Sequence, residues 1–303
     1  MLNLENWNKK KILFILSDPG SGNIILSLIK KFNLSNYKIF ISSQNRNIKF
    51  QGHIKNLVSK SDIYKMNKKK LFDLSVIGTG SNPAYIRLAN RLKKDRIFTI
   101  AILDHWLNFT SRFKKNNINF IPDAIFLTDY YHNLNNYFFR NIKKVKIKNF
   151  YEEEKLKEIK KIKKVKYDYL YINDPASYIN NKKIRKKLIE GSFLNFLAYI
   201  KSFDKLKILI KFHPNDDFIF FKKVIKNSLK KIENKKIKFY ISKENNISQN
   251  IGLSKIIFGM QSSALLLAKK SKKQVFTSIP NSFFKKYLNN NYLKNNIKNI
   301  SNI

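Results

Sequence analysis

The sequence predicts an α/β protein made of two doubly wound parallel sheets, each a Rossmann-like domain. Three observations carry this reading. Short, wholly apolar runs recur along the chain and suit strands buried on both faces of a parallel sheet. Each run leads into a polar or glycine-bearing loop and then into helical apolar spacing. The pattern halts at a charged segment near the middle and then restarts, and 303 residues is length for about two domains.

In the first domain, 1–150, Ile12–Ser17 reads as a buried strand, Asp18–Asn23 as the turn and Ile24–Phe32 as the helix. Tyr37–Ser42 is a second strand, and the polar stretch 43–70 has no clear period. Leu74–Ile77 is a strand that ends at Gly78-Thr79-Gly80, and Pro83–Lys94 is a helix. Ile97–Leu103 is a strand running into Asp104-His105-Trp106. Ala124–Leu127 is a strand before Asp129, with a helix around Tyr131–Arg140. The segment 151–166 opens with Glu152-Glu153-Glu154 and closes in lysines, an order that suits a helix dipole, and reads as a linker.

The second domain, 167–303, repeats the scheme. Tyr167–Ile172 is a strand ending in Asn173-Asp174-Pro175, and Ile184–Phe203 is an amphipathic helix. Leu206–Phe212 is a strand ending in His213-Pro214-Asn215, followed by a helix over Phe218–Ile232. Lys236–Ile241 is a strand leading to a polar loop. Lys255–Phe258 is a strand ending at Gly259, Ser262–Lys270 is a helix, and Val275–Ser278 is the last strand expected. The Asn- and Lys-rich tail from Asn289 is expected to fray.

Composition narrows the function classes. Apolar residues are 43% of the chain and aromatic residues 14%, which excludes general disorder. With no cysteine there is no disulfide, zinc-thiolate site or cysteine nucleophile. The net charge of +41 invites a nucleic-acid reading, but 54 of the 61 basic residues are lysine and only seven arginine. Lys, Asn, Ile, Phe and Tyr have AT-rich codons, so an AT-biased genome yields this profile on a solvated surface. A nucleic-acid binder would lean on arginine for bidentate contacts, and nucleic acid is not the expected partner. Lys9–Lys11 ahead of Ile12–Leu16 mimics a signal peptide, but no small-residue cleavage site follows. No apolar run approaches membrane-spanning length. A cytoplasmic protein is expected, its basic exterior suited to peripheral contact with an anionic inner membrane.

The chemistry-bearing residues gather at strand ends, where open parallel sheets bind ligands, and the cleft between two such domains is the expected site. Asp18 could serve there as a general base. Gly20, Ser21 and Asn23 offer tight geometry and free amides to an anion, the plainer alternative being an ordinary turn capped by Ser21 or Asn23. Asp104 and His105 are further catalytic candidates. Trp106 suits stacking on a sugar, and Arg112 suits a carboxylate or phosphate. His213, with Pro214 and Asn215, can bond a phosphate oxygen or ribose hydroxyl. Gly259 lets a ligand approach; Gln261, Ser262 and Ser263 offer side chains and helix-terminal amides, and Asn173 ends the neighbouring strand. The four histidines are unpaired at i, i+4 and no D-x-D motif is present, so neither a metal nor a bound cofactor is expected. No G-x-S-x-G elbow is present.

Lys211-Phe212-His213-Pro214-Asn215, then Gly259-Met260-Gln261-Ser262-Ser263-Ala264-Leu265 and Val275–Pro280, resemble the donor-binding half of GT-B-fold glycosyltransferases. Similarity is greatest to bacterial capsule and surface-polysaccharide enzymes of sialyltransferase-like and glycerophosphotransferase-like type. The resemblance implies that His213, Ser262 and Ser263 hold the nucleotide of an activated donor. It implies metal-independent transfer of a sugar or polyol-phosphate to a glycan or lipid-linked acceptor, with 167–303 as the donor domain. The same architecture resembles non-hydrolysing UDP-sugar 2-epimerases, for which Asp18, Asp104, Asp129, Asp174 and Asp216 are the candidate carboxylates. A catalytically inactive GT-B-like protein is a further alternative. The sialyltransferase acid/base motif is met only loosely by Ser17-Asp18-Pro19-Gly20.

Overall fold

Strand β1 (Ile12–Leu16) has all five side chains buried, as a strand covered on both faces must. The computed structural model describes residues 3–42, 54–80, 84–104, 109–115, 117–128, 139–176, 179, 181–213, 216–230, 236–244, 246–283 and 297–302. They fall into two units, Met1–Tyr151 and Glu152–Ile303.

The first unit contains, after β1, helix α1 (Pro19–Lys31), β2 (Tyr37–Ile41), α2 (Lys60–Lys68), β3 (Leu74–Gly78), α3 (Ile86–Lys94) and β4 (Phe98–Leu103). A short α4 (Phe109–Arg112) and a small hairpin of β5 (Lys114–Lys115) and β6 (Ile118–Asn119) follow, then β7 (Ala124–Leu127) and β8 (Lys143–Lys146). The sheet order is β2-β1-β3-β4-β7-β8, parallel throughout. Trp7, 1% exposed on a 3₁₀ turn ahead of β1, stacks on Phe126 at 5.8 Å and tilts against Phe14.

Helix α1 starts earlier than the sequence pattern indicates. Asp18 is its N-cap, accepting from the Ser21 amide, and Pro19 stands at the first helical position. A carboxylate cap and a proline of fixed φ are both stronger starting signals than Ser21 or Asn23. Gly20, Ser21 and Asn23 therefore belong to the first helical turn. Strand β8 was also not expected. Its lysines are exposed on the sheet edge, which blunts edge pairing. The helix expected around Tyr131–Arg140 falls almost wholly outside the described residues, as does Asp129.

The second unit has α5 (Phe150–Lys161), β9 (Tyr167–Ile172), α6 (Lys182–Ile200), β10 (Leu206–Lys211), α7 (Phe218–Leu229), β11 (Ile237–Ile241), α8 (Ile247–Gly252), β12 (Ser254–Gly259), α9 (Ser263–Lys270), β13 (Gln274–Thr277) and β14 (Lys298–Asn299). Its order is β11-β10-β9-β12-β13-β14, again parallel. Helix α5, read from sequence as a linker, is fastened to this unit: Lys270 pairs with Glu152 at 2.5 Å and Asn246 donates to Glu158 at 2.9 Å. Tyr171, Phe193, Phe196, Phe221 and Phe258 form its aromatic core.

Two segments correct the sequence reading. The polar loop after β11 contains α8, capped by Asn246 and anchored by the fully buried Ile251. The tail expected to fray ends in the sixth strand, with Ile297 and Ile300 buried and the Asn299 side chain donating to the Ile279 carbonyl at 2.9 Å. Two isoleucines among lysines and asparagines carry too little periodicity to announce a strand.

Two glycines of this unit should respond to alanine with opposite signs. A methyl at Gly259 would meet the Ile172 carbonyl at 2.8 Å, where only backbone movement gives room. Gly191, inside α6, would bring its methyl to 3.4 Å from Pro280, an ordinary contact. Urea unfolding should show Gly259→Ala destabilising by about 1–3 kcal/mol and Gly191→Ala neutral to stabilising by about 0.5–1 kcal/mol. Equal effects would contradict the strand-packing role of Gly259.

Candidate functional site

In an open parallel sheet, ligands bind beyond the carboxyl ends of the strands where the order reverses. In the first unit that point lies between β1 and β3, and in the second between β9 and β12. The residues that follow these strands are Asp18, Thr79 and Gly80 in one unit, and Asn173 and Met260-Gln261 in the other.

The first unit brings Asp18, Asp104 and Arg112 together. One Asp18 oxygen accepts from the Ser21 amide at 3.2 Å and its hydroxyl at 3.1 Å. The other lies so close to Gly80 that a methyl there would approach it to 2.5 Å. Asp104, at the end of β4, holds Arg112 through a 2.5 Å ion pair in which the side chains are 10% and 8% exposed. Its second oxygen covers Gly20, leaving no space for a Cβ. Arg112 also donates to the Thr79 carbonyl at 3.2 Å, and the Tyr85 hydroxyl donates to the Arg112 carbonyl. The sequence offers Arg112 to a substrate anion; the structure commits its guanidinium to Asp104 and Thr79. Burial, then the neighbouring Asp104 charge, raise the Asp18 carboxyl to about 7, against the opposing pull of Arg112. Thr79 and Tyr85 were not singled out from sequence, because only the strand order brings them beside Arg112. His105 and Trp106 lie outside the described residues.

The second unit gathers a different set. The His213 amide donates to Asp216 at 2.6 Å. Burial, with Lys211 nearby, lowers the imidazole to about 4, so His213 is neutral at physiological pH and acts through hydrogen bonds. Asn173 is 1% exposed and Gln261 3%. Both amide atoms of Asn173, Oδ1 of Asp216 and Oε1 of Gln261 are buried with no hydrogen-bond partner among the described residues. Burial raises the Asp216 carboxyl, opposed by the nearby Asn173 side chain and the His213 amide. Asp174 accepts from the Ala176 amide at 2.7 Å, and burial raises it to about 7. Ser262 caps α9 by accepting from the Ala264 amide at 3.2 Å, and Ser263 is exposed on the first turn. Gly259 makes room for the Ile172 backbone and Leu265 rather than for open space. Pro214 and Asn215 lie outside the described residues. Among the described residues no cluster of three or more His, Asp or Glu could hold a metal ion, and no helix is long and apolar enough to cross a membrane.

No protein-family model and no curated protein matches the sequence. Solved structures do. The chain is similar to Anabaena Alr3699/HepE in complex with UDP and glucose, at 10% identity over 88% of this chain and 80% of that one, with a TM-score of 0.54. It is similar to the UDP-GlcNAc 2-epimerase of Methanocaldococcus jannaschii at 16% identity, over 88% and 83% of the two chains, with a TM-score of 0.56. A glycosyltransferase from Rickettsia africae ESF-5 follows at 15% identity, 88% and 78% coverage and a TM-score of 0.52. At these identities the likeness shows the fold: two Rossmann-like units in series, GT-B-like, as the sequence predicts.

The raised carboxyls set a pH dependence. Asp18 and Asp174 keep protons when folded up to about pH 7, whereas their ordinary value is 3.8. The native state therefore binds more protons than the unfolded chain between these values, and stability from both groups falls as pH rises through that window. His213 works oppositely, its contribution rising between about 4 and 6.5. Asp18→Asn keeps a capping oxygen and removes the titration. Urea unfolding at about pH 5 and about pH 8 should show wild type losing ~2 kcal/mol relative to Asp18→Asn at the higher pH. A pH-independent difference would show that Asp18 is an ordinary carboxylate.

Proposed function

We propose that the protein transfers a sugar or polyol-phosphate from a nucleotide-activated donor to a glycan or lipid-linked acceptor, without a metal. The observation that carries this reading is the pair of buried acceptor oxygens, Oδ1 of Asn173 and Oε1 of Gln261, that have no hydrogen-bond partner among the described residues at the strand-order reversal of the second unit. Groups desolvated without partners are costly, and a bound ligand that supplies those partners accounts for them. Solved structures of similar fold hold UDP, UDP-glucose or UDP-GlcNAc, which supports a nucleotide-sugar as that ligand. His213 and Gln261 would bond the nucleotide, and the amides at the start of α9 with Ser262 and Ser263 would face its phosphates.

Asp18 is the base. Held near neutrality, it is ionised in a large fraction of molecules yet basic enough to take a hydroxyl proton. The acceptor oxygen bonds the transferred carbon as the bond to the nucleotide phosphate breaks. The electron pair leaves on phosphate oxygen, and the acceptor proton ends on Asp18. Arg112, paired with Asp104, opposes the rise of the Asp18 carboxyl that burial and Asp104 cause, and so sets how readily Asp18 takes that proton.

A second reading, nucleotide-sugar 2-epimerisation, is supported by the similar fold of a UDP-GlcNAc 2-epimerase. Incubation with a UDP-sugar alone separates the two: an isomer signals an epimerase, an unchanged donor a transferase.

Calorimetry with UDP, CDP, CMP and GDP tests the donor site. Gln261→Met keeps volume and breaks no internal bond of the lone Oε1, so it should leave stability unchanged while weakening the preferred nucleotide about three- to tenfold. His213→Ala should weaken it further, and unchanged affinity in both variants would refute the assignment. Asp18→Asn should leave nucleotide affinity intact and lower turnover about 10²- to 10⁴-fold. In the wild type, turnover should rise with pH to a plateau above about 7.

A further inference from the structure

The second unit carries an outward helix face that its own fold leaves uncovered. Helix α7 buries Phe221, Val224, Ile225 and Ser228 and turns Phe218, Ile219, Lys222, Lys223 and Lys226 to solvent. Ile219 is 83% exposed and Phe218 50%. At the same carboxyl edge of the sheet, Tyr240 and Ile241 of the edge strand β11 are 38% and 46% exposed. Single exposed apolar residues need no explanation, but adjacent ones backed by a cationic face do. Lys222 lies over the Phe218 ring at 5.8 Å, and Lys186 from α6 lies over Phe220 at 4.7 Å. No acid occurs within α7, and Asp217 before it is engaged as the N-cap.

We propose that this face docks on an anionic lipid bilayer, with Phe218 and Ile219 entering the headgroup boundary and Lys222, Lys223 and Lys226 meeting lipid phosphates. The arrangement is that of an interfacial helix: apolar tips at one end, and long lysine stems whose ammonium groups stay in the polar layer. Charge complementarity selects the lipid. A second copy would bring the same lysines against these, and a chain of net charge +41 opposes such pairing. A nucleic-acid backbone offers phosphates but no apolar layer for an isoleucine tip. The inference stands whether or not the donor assignment holds.

Sedimentation of the full chain with vesicles tests it. Phosphatidylcholine vesicles containing phosphatidylglycerol should bind the protein, and pure phosphatidylcholine vesicles should not. Phe218→Ser with Ile219→Ser should weaken binding about tenfold; Ile219→Ser alone, at a position 83% exposed, should weaken it without changing the unfolding midpoint, whereas Phe218→Ser also loses a ring contact with Phe212 at 4.7 Å. Lys222→Gln, Lys223→Gln and Lys226→Gln together should weaken it about as much and flatten its salt dependence. Lys157→Gln, Lys160→Gln and Lys161→Gln on α5 remove the same charge elsewhere and should change it little. The proposal is overturned if both lysine triples act equally, because general charge then suffices. It is overturned if the Phe218 and Ile219 changes leave vesicle binding intact, if they dissociate a dimer in lipid-free sedimentation, or if they abolish binding to duplex DNA instead.

Discussion

Every functional feature of this chain follows from one constraint, that the central strands are buried on both faces. In β1 and β3 all five side chains are buried, and Leu170, Tyr171 and Ile172 of β9 are nearly so. A polar side chain within such a strand loses water, so polarity gathers mainly at the strand ends, with small hydroxyls such as Ser75 of β3 and Thr99 of β4 as the buried exceptions. Parallel pairing then places all carboxyl ends on one edge of each sheet. Where the strand order reverses, two chain segments diverge and leave room beside the last buried residues. Asp18 and Asp174 stand there with most of their water removed, which is why burial is the largest influence on both.

The same constraint decides what can be read from sequence. A strand buried on both faces is a continuous apolar run, so Ile12–Leu16 declares itself outright, and Tyr167–Ile172 and Leu206–Lys211 do so through their apolar cores Tyr169–Ile172 and Ile208–Ile210. Strands and helices on the margins do not. Lys143–Lys146 and Lys298–Asn299 are strands because a neighbour offers its open edge, and Ile247–Gly252 is a helix because Asn246 caps it and Ile251 finds the core. Tertiary partners hold these segments against their own polar composition. Candidate site residues were legible by place, since the end of a recognisable strand is a recognisable position. Their partnerships were not. That Asp104 would hold Arg112 over Thr79, or that Asp216 would take the His213 amide, depends on strand order and loop paths that no local pattern encodes. Gly259 shows the ambiguity of a single residue: a small side chain at a strand end can admit a ligand or a neighbouring backbone, and here Ile172 occupies the space.

The large positive charge also divides once partners are known. The chain has 61 basic residues against 20 acidic ones, and many of its acids stand where the backbone needs an acceptor. Asp62 closes a capping box with Ser59, Asp123 binds the amide and hydroxyl of Thr99, and Asp168 takes the Lys207 amide. These carboxylates are held below their ordinary range by the bonds they accept. Lysines mostly coat the surface, where each contributes little to stability and much to the field around the protein. The charge is therefore an attribute of the surface, and its local pattern carries more information than its sum.

Asp18 and Asp174 occupy equivalent places, just beyond the first strand of each unit, and both lie near 7, yet their surroundings differ. Asp18 shares its edge with a second carboxylate and with Arg112. Burial lifts its carboxyl most, the Asp104 charge adds to the rise, and Arg112 opposes it. Asp174 is raised chiefly by burial, assisted by Asp216 and opposed only by one backbone amide. His213, beyond the neighbouring strand β10, is neutral because burial and Lys211 disfavour its cation. One burial effect thus lifts both carboxyls to the same value, and what opposes it differs: an arginine at Asp18, a single backbone amide at Asp174.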